Sequence, residues 1–98
     1  MAPTYTLEHR VTLDWKRLTA DQKVAFREAR DKLFEDRATG KGFRPSLRVK
    51  GVQGTRGIFE MTWAPDGRAT FEYGSEQREG GPHIVWRRIG THDISGRP

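Results

Sequence analysis

An α+β fold follows from three features of this 98-residue sequence. The N-terminal half carries one long amphipathic helix pattern, with a start signal before it and a stop signal after it. From Phe43 onward the hydrophobic period changes from helical to extended alternation. Between two of the extended runs stands Ala64-Pro65-Asp66-Gly67, a hairpin signal in which Pro65 presets φ and Gly67 supplies a left-handed residue. Helices on one face of a small antiparallel sheet of three to four strands satisfy this order. The length predicts one domain over 1–98, with a helical part at about 13–38 and a sheet part at about 46–90.

Thr4-Tyr5-Thr6-Leu7 is β-prone and predicts a short edge strand. His9, Arg10 and Val11 either extend that strand or cross over as a loop. Leu13 to Leu18 reads as a helical turn capped by Thr12, with Leu13, Trp15 and Leu18 inward. Thr19 is the next N-cap, and Gln22 three residues later completes a capping-box pattern. The helix from Ala20 to roughly Arg37 buries Ala25, Phe26, Ala29, Leu33 and Phe34 along one stripe. Its charged remainder is read as a solvated face. Thr39-Gly40-Lys41-Gly42 ends it.

Leu47-Arg48-Val49-Lys50-Gly51-Val52 alternates apolar and basic residues, so a half-buried strand with Arg48 and Lys50 on one outer face is expected. Gln53 to Gly57 is a turn. Ile58 to Trp63 and Arg68 to Tyr73 are the strands flanking the hairpin. Gly74 to Pro82 is polar and glycine-rich, which predicts a surface loop. In the last strand Ile84, Trp86 and Arg88 fall on one side, and Val85, Arg87 and Ile89 on the other. Gly90 then turns the chain just before His92.

Composition narrows the function classes. The chain has no cysteine, which excludes disulfides and Cys-ligated zinc. No apolar run is long enough to span a bilayer, and no signal peptide is evident, so a cytoplasmic protein is expected. The net charge is +5. That favours a polyanionic partner such as nucleic acid or an acidic protein segment, with simple solubility as the alternative. There is no phosphate-cradling glycine loop and no nucleophile elbow. The three histidines lack metal-ligand spacing, so neither a metal nor another cofactor is expected. The tryptophans Trp15, Trp63 and Trp86 have the shape to stack bases, but core packing is expected of at least two.

One sheet face is expected to be basic. Arg48, Lys50, Arg68 and Arg88, with Arg56 and Arg87, come from strands or turns that should be neighbours, and their convergence would suit a phosphodiester. His92 is the candidate for proton transfer. RNA cleavage through the 2′-hydroxyl needs a base, an acid for the leaving 5′-oxygen, and cations for the phosphate charge. Nearby cations are expected to lower the His92 pKa and favour the neutral base. The alternative is an exposed histidine with no role. His9 and His83 are weaker candidates, and His83 suits capping a loop.

The order of elements, with Leu47-Arg48-Val49-Lys50, Gly57-Ile58-Phe59-Glu60-Met61, Arg68-Ala69-Thr70-Phe71-Glu72-Tyr73 and Arg88-Ile89-Gly90-Thr91-His92-Asp93-Ile94, resembles the RelE/ParE superfamily of bacterial type II toxin–antitoxin toxins. The Gly-Thr-His ending resembles its YafQ-like branch. The resemblance covers roughly residues 13–95 and implies a RelE-like fold. It also implies ribosome-dependent, metal-independent cleavage of mRNA that inhibits translation, and a cognate antitoxin that covers the basic site in a hetero-oligomer. On that basis His92 is acid or base, and Arg48, Lys50 and Arg68 bind and stabilise the scissile phosphate. Arg88, Arg87 and Arg56 contact RNA, and Asp93 orients the imidazole. Two positions depart from the pattern. Ser95 stands where such toxins often carry an aromatic residue, and Thr62 where they often carry an arginine. The alternative within the same fold is a non-catalytic member, either a gyrase inhibitor of ParE type or an RNA-binding protein.

Overall fold

The longest element is fixed by its own caps. The Gln22 amide donates to the Thr19 hydroxyl at 3.1 Å, and the Thr19 amide donates to the Gln22 side chain at 2.8 Å. This satisfies two of the orphan donors at the helix start. The computed structural model describes residues 3–78 and 80–98. In chain order the elements are β1 (Thr4–Leu7), α1 (His9–Lys16), α2 (Ala20–Thr39), β2 (Lys50–Gly51), β3 (Ile58–Ala64), β4 (Gly67–Arg78) and β5 (Gly81–Thr91). Short 3-10 turns cover Pro45–Leu47 and His92–Gly96.

The class is α+β, as expected, but the sheet has five strands rather than three or four, in the order β1-β5-β4-β3-β2. The edge strand expected at Thr4 to Leu7 is β1, which pairs parallel to β5 with Thr4 opposite His83 and Leu7 opposite Trp86. All other neighbours are antiparallel. His83 does not cap a loop. It lies inside β5, 7% exposed, and its two ring nitrogens each sit 2.7 Å from a hydroxyl of β1, Thr4 and Thr6. This side-chain clasp adds to the backbone ladder in holding β1.

Four local readings are corrected. First, α1 starts at His9, not Leu13, and turns Val11 and Asp14 inward while Leu13 stays 46% exposed. Thr12 is inside the helix, its hydroxyl donating to the His9 carbonyl, so it caps nothing. Second, Leu47 to Val52 is not one strand. Pro45 opens a 3-10 turn, Arg48 takes a left-handed φ of 47°, and the ladder is limited to Lys50–Gly51. Leu47 is nevertheless buried. Third, Gly74 to Pro82 is mostly ladder. Gly74 pairs with His83 and Arg78 with Gly81. Residues 75–78 are exposed, so no apolar side chains were needed there to reveal the strand. Fourth, Gly67 has no positive φ. A Cβ there would lie 2.5 Å from the Trp63 ring, so the glycine serves close packing.

The phase of β5 also departs from simple alternation. Thr70 pairs with Arg88 but Phe71 with Trp86, leaving Arg87 as the extra residue of a β-bulge. After the bulge Ile89, not Arg88, joins Ile84 and Trp86 on the core side, and all three are at most 3% exposed.

The core lies between α2 and the inner sheet face. Phe26 packs edge-on against Trp86 with ring centroids 5.2 Å apart, and Phe71 meets Trp86 at 5.5 Å. Trp15 and Trp63 join through Phe26 at 5.8 and 6.4 Å. All three tryptophans are therefore packing residues, and edge-to-face geometry suits their ring quadrupoles. The open face of the sheet carries the polar row considered next.

Candidate active site

β4 and β5 place the turn between β3 and β4 beside the end of β5, because Gly67 pairs with Thr91 and Arg68 with Gly90. Gly90 is thus a ladder residue, and the corner falls after Thr91. A Cβ at Gly90 would sit 2.9 Å from a methyl of Ile94, so the corner closes tightly against the 3-10 turn. His92 opens that turn. Its Nδ1 is bonded to the Asp66 carboxylate, and its Nε2 lies 3.6 Å from Asp93.

The electrostatics reverse one expectation. The Asp66 hydrogen bond, then the charges of Asp66 and Asp93, raise the His92 pKa. Arg68 opposes them but is outweighed. The pair therefore shifts His92 toward the imidazolium, opposite to the expected direction. Asp66 in turn is held below its ordinary value, chiefly by its bond to His92. The His92 side chain is 67% exposed, so a large substrate can reach it.

Arg68 is anchored from below. Its Nη1 donates to the Gly67 carbonyl at 2.9 Å and lies 3.3 Å from that of Pro65. Its Nε lies 3.7 Å from Glu60, a carboxylate that is 5% exposed. Lys50 pairs with Glu60 in register, Glu60 with Thr70, and Thr70 with Arg88. Lys50 and Arg68 are thereby brought to the same acidic residue. Thr62, the position without the arginine, pairs with Arg68.

The other basic candidates are placed differently. Arg88 makes a two-pronged bond to Asp14 at 2.8 and 3.2 Å, and the same carboxylate accepts the Ile89 amide at 3.1 Å. That pairing raises the Arg88 pKa and ties α1 to the end of β5. Arg87 reaches Glu8 at 3.1 Å, Glu72 at 3.5 Å and the Pro98 carbonyl at 3.1 Å. Both arginines are committed to internal partners. Arg48 is exposed and lies outside the ladder, and Arg56 is exposed in the turn before β3. The expected common strand face for Arg48 and Lys50 does not form. The side chain of Ser95 lies outside the described part of the structure. Among the described residues, no group of three or more His, Asp or Glu side chains is placed to hold a metal ion.

Asp66, like Glu60 beside Arg68, is a site residue that sequence reasoning missed. Its position within a Pro-Asp-Gly turn signal explains it fully as a turn former. Nothing local points to His92, 26 positions away.

No family model and no curated protein matches the sequence. Solved structures do match. The chain superposes on a chain of the DinJ–YafQ toxin–antitoxin complex of E. coli with a TM-score of 0.69, over 96% of this chain and 97% of that one, at 13% identity. The RelB–RelE antitoxin–toxin complex of Methanococcus jannaschii gives 0.61 over 94% and 98%, at 12% identity. The YoeB/ParE toxin of Agrobacterium tumefaciens gives 0.61 over 91% and 98%, at 15% identity. The fold is that of the RelE/YafQ-like toxins.

Proposed function

We propose that this chain is the toxin of a type II toxin–antitoxin system, cleaving mRNA on the ribosome without a metal and so inhibiting translation. The observation that carries the reading is the His92–Asp66 pair, held at the end of the inner strands β4 and β5 beside Arg68. In-line attack of a ribose 2′-oxygen on phosphorus breaks the bond to the 5′-oxygen. The His92 imidazolium gives its proton to that leaving oxygen. Arg68 and Lys50 stabilise the charge growing on the phosphate. Glu60, on the same face beside Arg68, is the candidate base for the 2′-hydroxyl proton. The orienting role expected of Asp93 falls to Asp66, which also favours the charged form of the imidazole. Arg48 and Arg56 are placed as outer contacts to RNA. Arg87 and Arg88 act through the scaffold that carries the site.

The partners are mRNA on the ribosome and a cognate antitoxin. The antitoxin complexes of YafQ and RelE, which share this fold, support the second. A non-catalytic binding role is the second reading, favoured by the internal pairing of Arg87 and Arg88 and by Thr62 in place of an arginine.

The test is induced expression of wild type beside His92→Ala, with amino-acid incorporation and mRNA integrity followed. The nuclease reading expects wild type to stop incorporation and cut mRNA, and His92→Ala to lose about 10²–10⁴ of the cleavage rate. Growth arrest by both chains with translation intact would overturn it in favour of a gyrase-type target. Salt-sensitive RNA binding without cleavage, unchanged in His92→Ala, would support the binding role.

A further inference from the structure

His92 and Asp66 face each other from two short turns, and their side chains are 67% and 65% exposed. A pair so exposed is worth little by itself, because water competes with it and two side chains must be held still. Its geometry is therefore set by the backbone that carries each partner. The Asp66 turn is secured by Arg68, whose Nη1 donates to the Gly67 carbonyl at 2.9 Å and lies 3.3 Å from that of Pro65. The His92 turn needs an equivalent fastening.

It has one at its other end. The Arg97 amide closes the turn on the Ile94 carbonyl at 2.9 Å. The Arg97 carbonyl then accepts Arg88 Nη1 at 3.1 Å. The Pro98 carbonyl accepts both Arg87 Nε and the Thr70 hydroxyl, each at 3.1 Å. The same two guanidinium groups reach α1 through other nitrogens. Arg88 gives Nε and Nη2 to Asp14, and Arg87 gives Nη1 to Glu8, the N-cap residue of α1. β5 offers two consecutive arginines to one segment because of its bulge. In a regular strand successive side chains leave opposite faces. With Arg87 as the extra residue, Arg87 and Arg88 both fall between the core positions Trp86 and Ile89. Their side chains are 22% and 17% exposed, which suits fastening better than capture of a polyanion.

From these contacts we infer that Arg87 and Arg88 are positioning residues: as a double clasp between α1 and the main chain of residues 97–98, they hold the His92 turn so that the imidazole stays on Asp66. Arg88 is the stronger half. Its planar fork spans Asp14 and the Arg97 carbonyl at once, which the single nitrogen of a lysine cannot do. Thr70 assists from β4 by sharing the Pro98 carbonyl with Arg87. The inference rests on the nuclease reading for its catalytic consequence alone. The placement of His92 is a property of the fold and is measured without RNA.

The test compares wild type with two variants of the full chain. Arg88→Lys keeps the charge and a partner for Asp14 but loses the fork. Arg87→Gln with Thr70→Val releases the Pro98 carbonyl and leaves Arg88 intact, so it decides the matter if Arg88→Lys does not fold. Circular dichroism checks folding. The charges acting on the imidazole are Asp66, Asp93 and Arg68, and all three remain in both variants. The first readout is the His92 titration by NMR of the ring protons, assigned by its loss in His92→Ala. It should move down toward the ordinary value of about 6.5 in both variants, as the bond to Asp66 becomes intermittent. The second readout is mRNA cleavage. Its kcat should fall about tenfold to a hundredfold with KM little changed, the mark of a misplaced group rather than a lost contact. A His92 titration unmoved in the folded variants overturns the inference, whether or not RNA is cut. A titration that falls while kcat holds overturns the positioning role. A loss confined to KM, with a flatter salt dependence, would return Arg87 and Arg88 to direct contact with RNA. Should wild type cut no RNA, the nuclease reading fails, and the titration still decides the clasp.

Discussion

Thr70 and Phe71 are neighbours in β4, and both have no exposure to solvent, yet they lie on opposite faces of the sheet. Phe71 enters the aromatic cluster with Trp86, Phe59 and Phe43. Thr70 lies on the open face, where its hydroxyl donates to the Pro98 carbonyl at 3.1 Å. The covered face is held by area and shape. The open face is held by directed pairs: Arg68 with Glu60, Arg87 with Glu8 and Glu72, and His92 with Asp66. Apolar burial is non-directional and roughly additive in area, whereas a polar pair is worth little beyond what its geometry secures. The first face can therefore anchor the fold while the second carries chemistry.

Truncation on the covered face should be the most damaging. Phe71→Ala removes a ring at the centre of the cluster and should destabilise the protein by about 3–5 kcal/mol, read from urea unfolding. A cost below that of an ordinary surface change would show that the cluster does not dominate. On the open face, Thr70→Val keeps the bulk and loses one hydrogen bond. It should cost about 1 kcal/mol in the same assay, and a cost approaching that of Phe71→Ala would erase the distinction between the faces.

The smallest effect on stability, and the most informative about function, is expected at the exposed pair. The folded pKa of His92 is raised, so its contribution is fully present below the ordinary histidine value of about 6.5 and is lost as pH rises through the folded value. Asp66 is shifted down, so its contribution is present above its ordinary value and is lost as pH falls through the folded one. The pair thus operates in the window between those two titrations. Asp66→Asn should bring the His92 titration, followed by NMR of the ring protons, down toward the ordinary value. If His92 acts as the acid, the alkaline limb of the cleavage profile should move down with it. A His92 titration unmoved by Asp66→Asn would remove Asp66 from the site.

The sequence by itself determined what local chemistry controls. The Thr19–Gln22 capping box, the stripe from Ala25 to Phe34, and the two strands around Pro65-Asp66 all stand where their spacing placed them, because caps, turns and periodicity act over a few residues. The sequence also singled out His92 and Arg68 as candidates. Tertiary structure decided the remainder. Whether Arg88 faces the core or solvent depended on a bulge at Arg87 that exists only in the pairing of β4 with β5. Whether Arg88 meets phosphate or Asp14 depended on where α1 crosses β5. The sign of the His92 shift depended on Asp66 arriving from a separate turn. Each of these is a contact between positions far apart in the chain. Its energy is set by distance and orientation in the folded state, which composition and spacing do not encode locally.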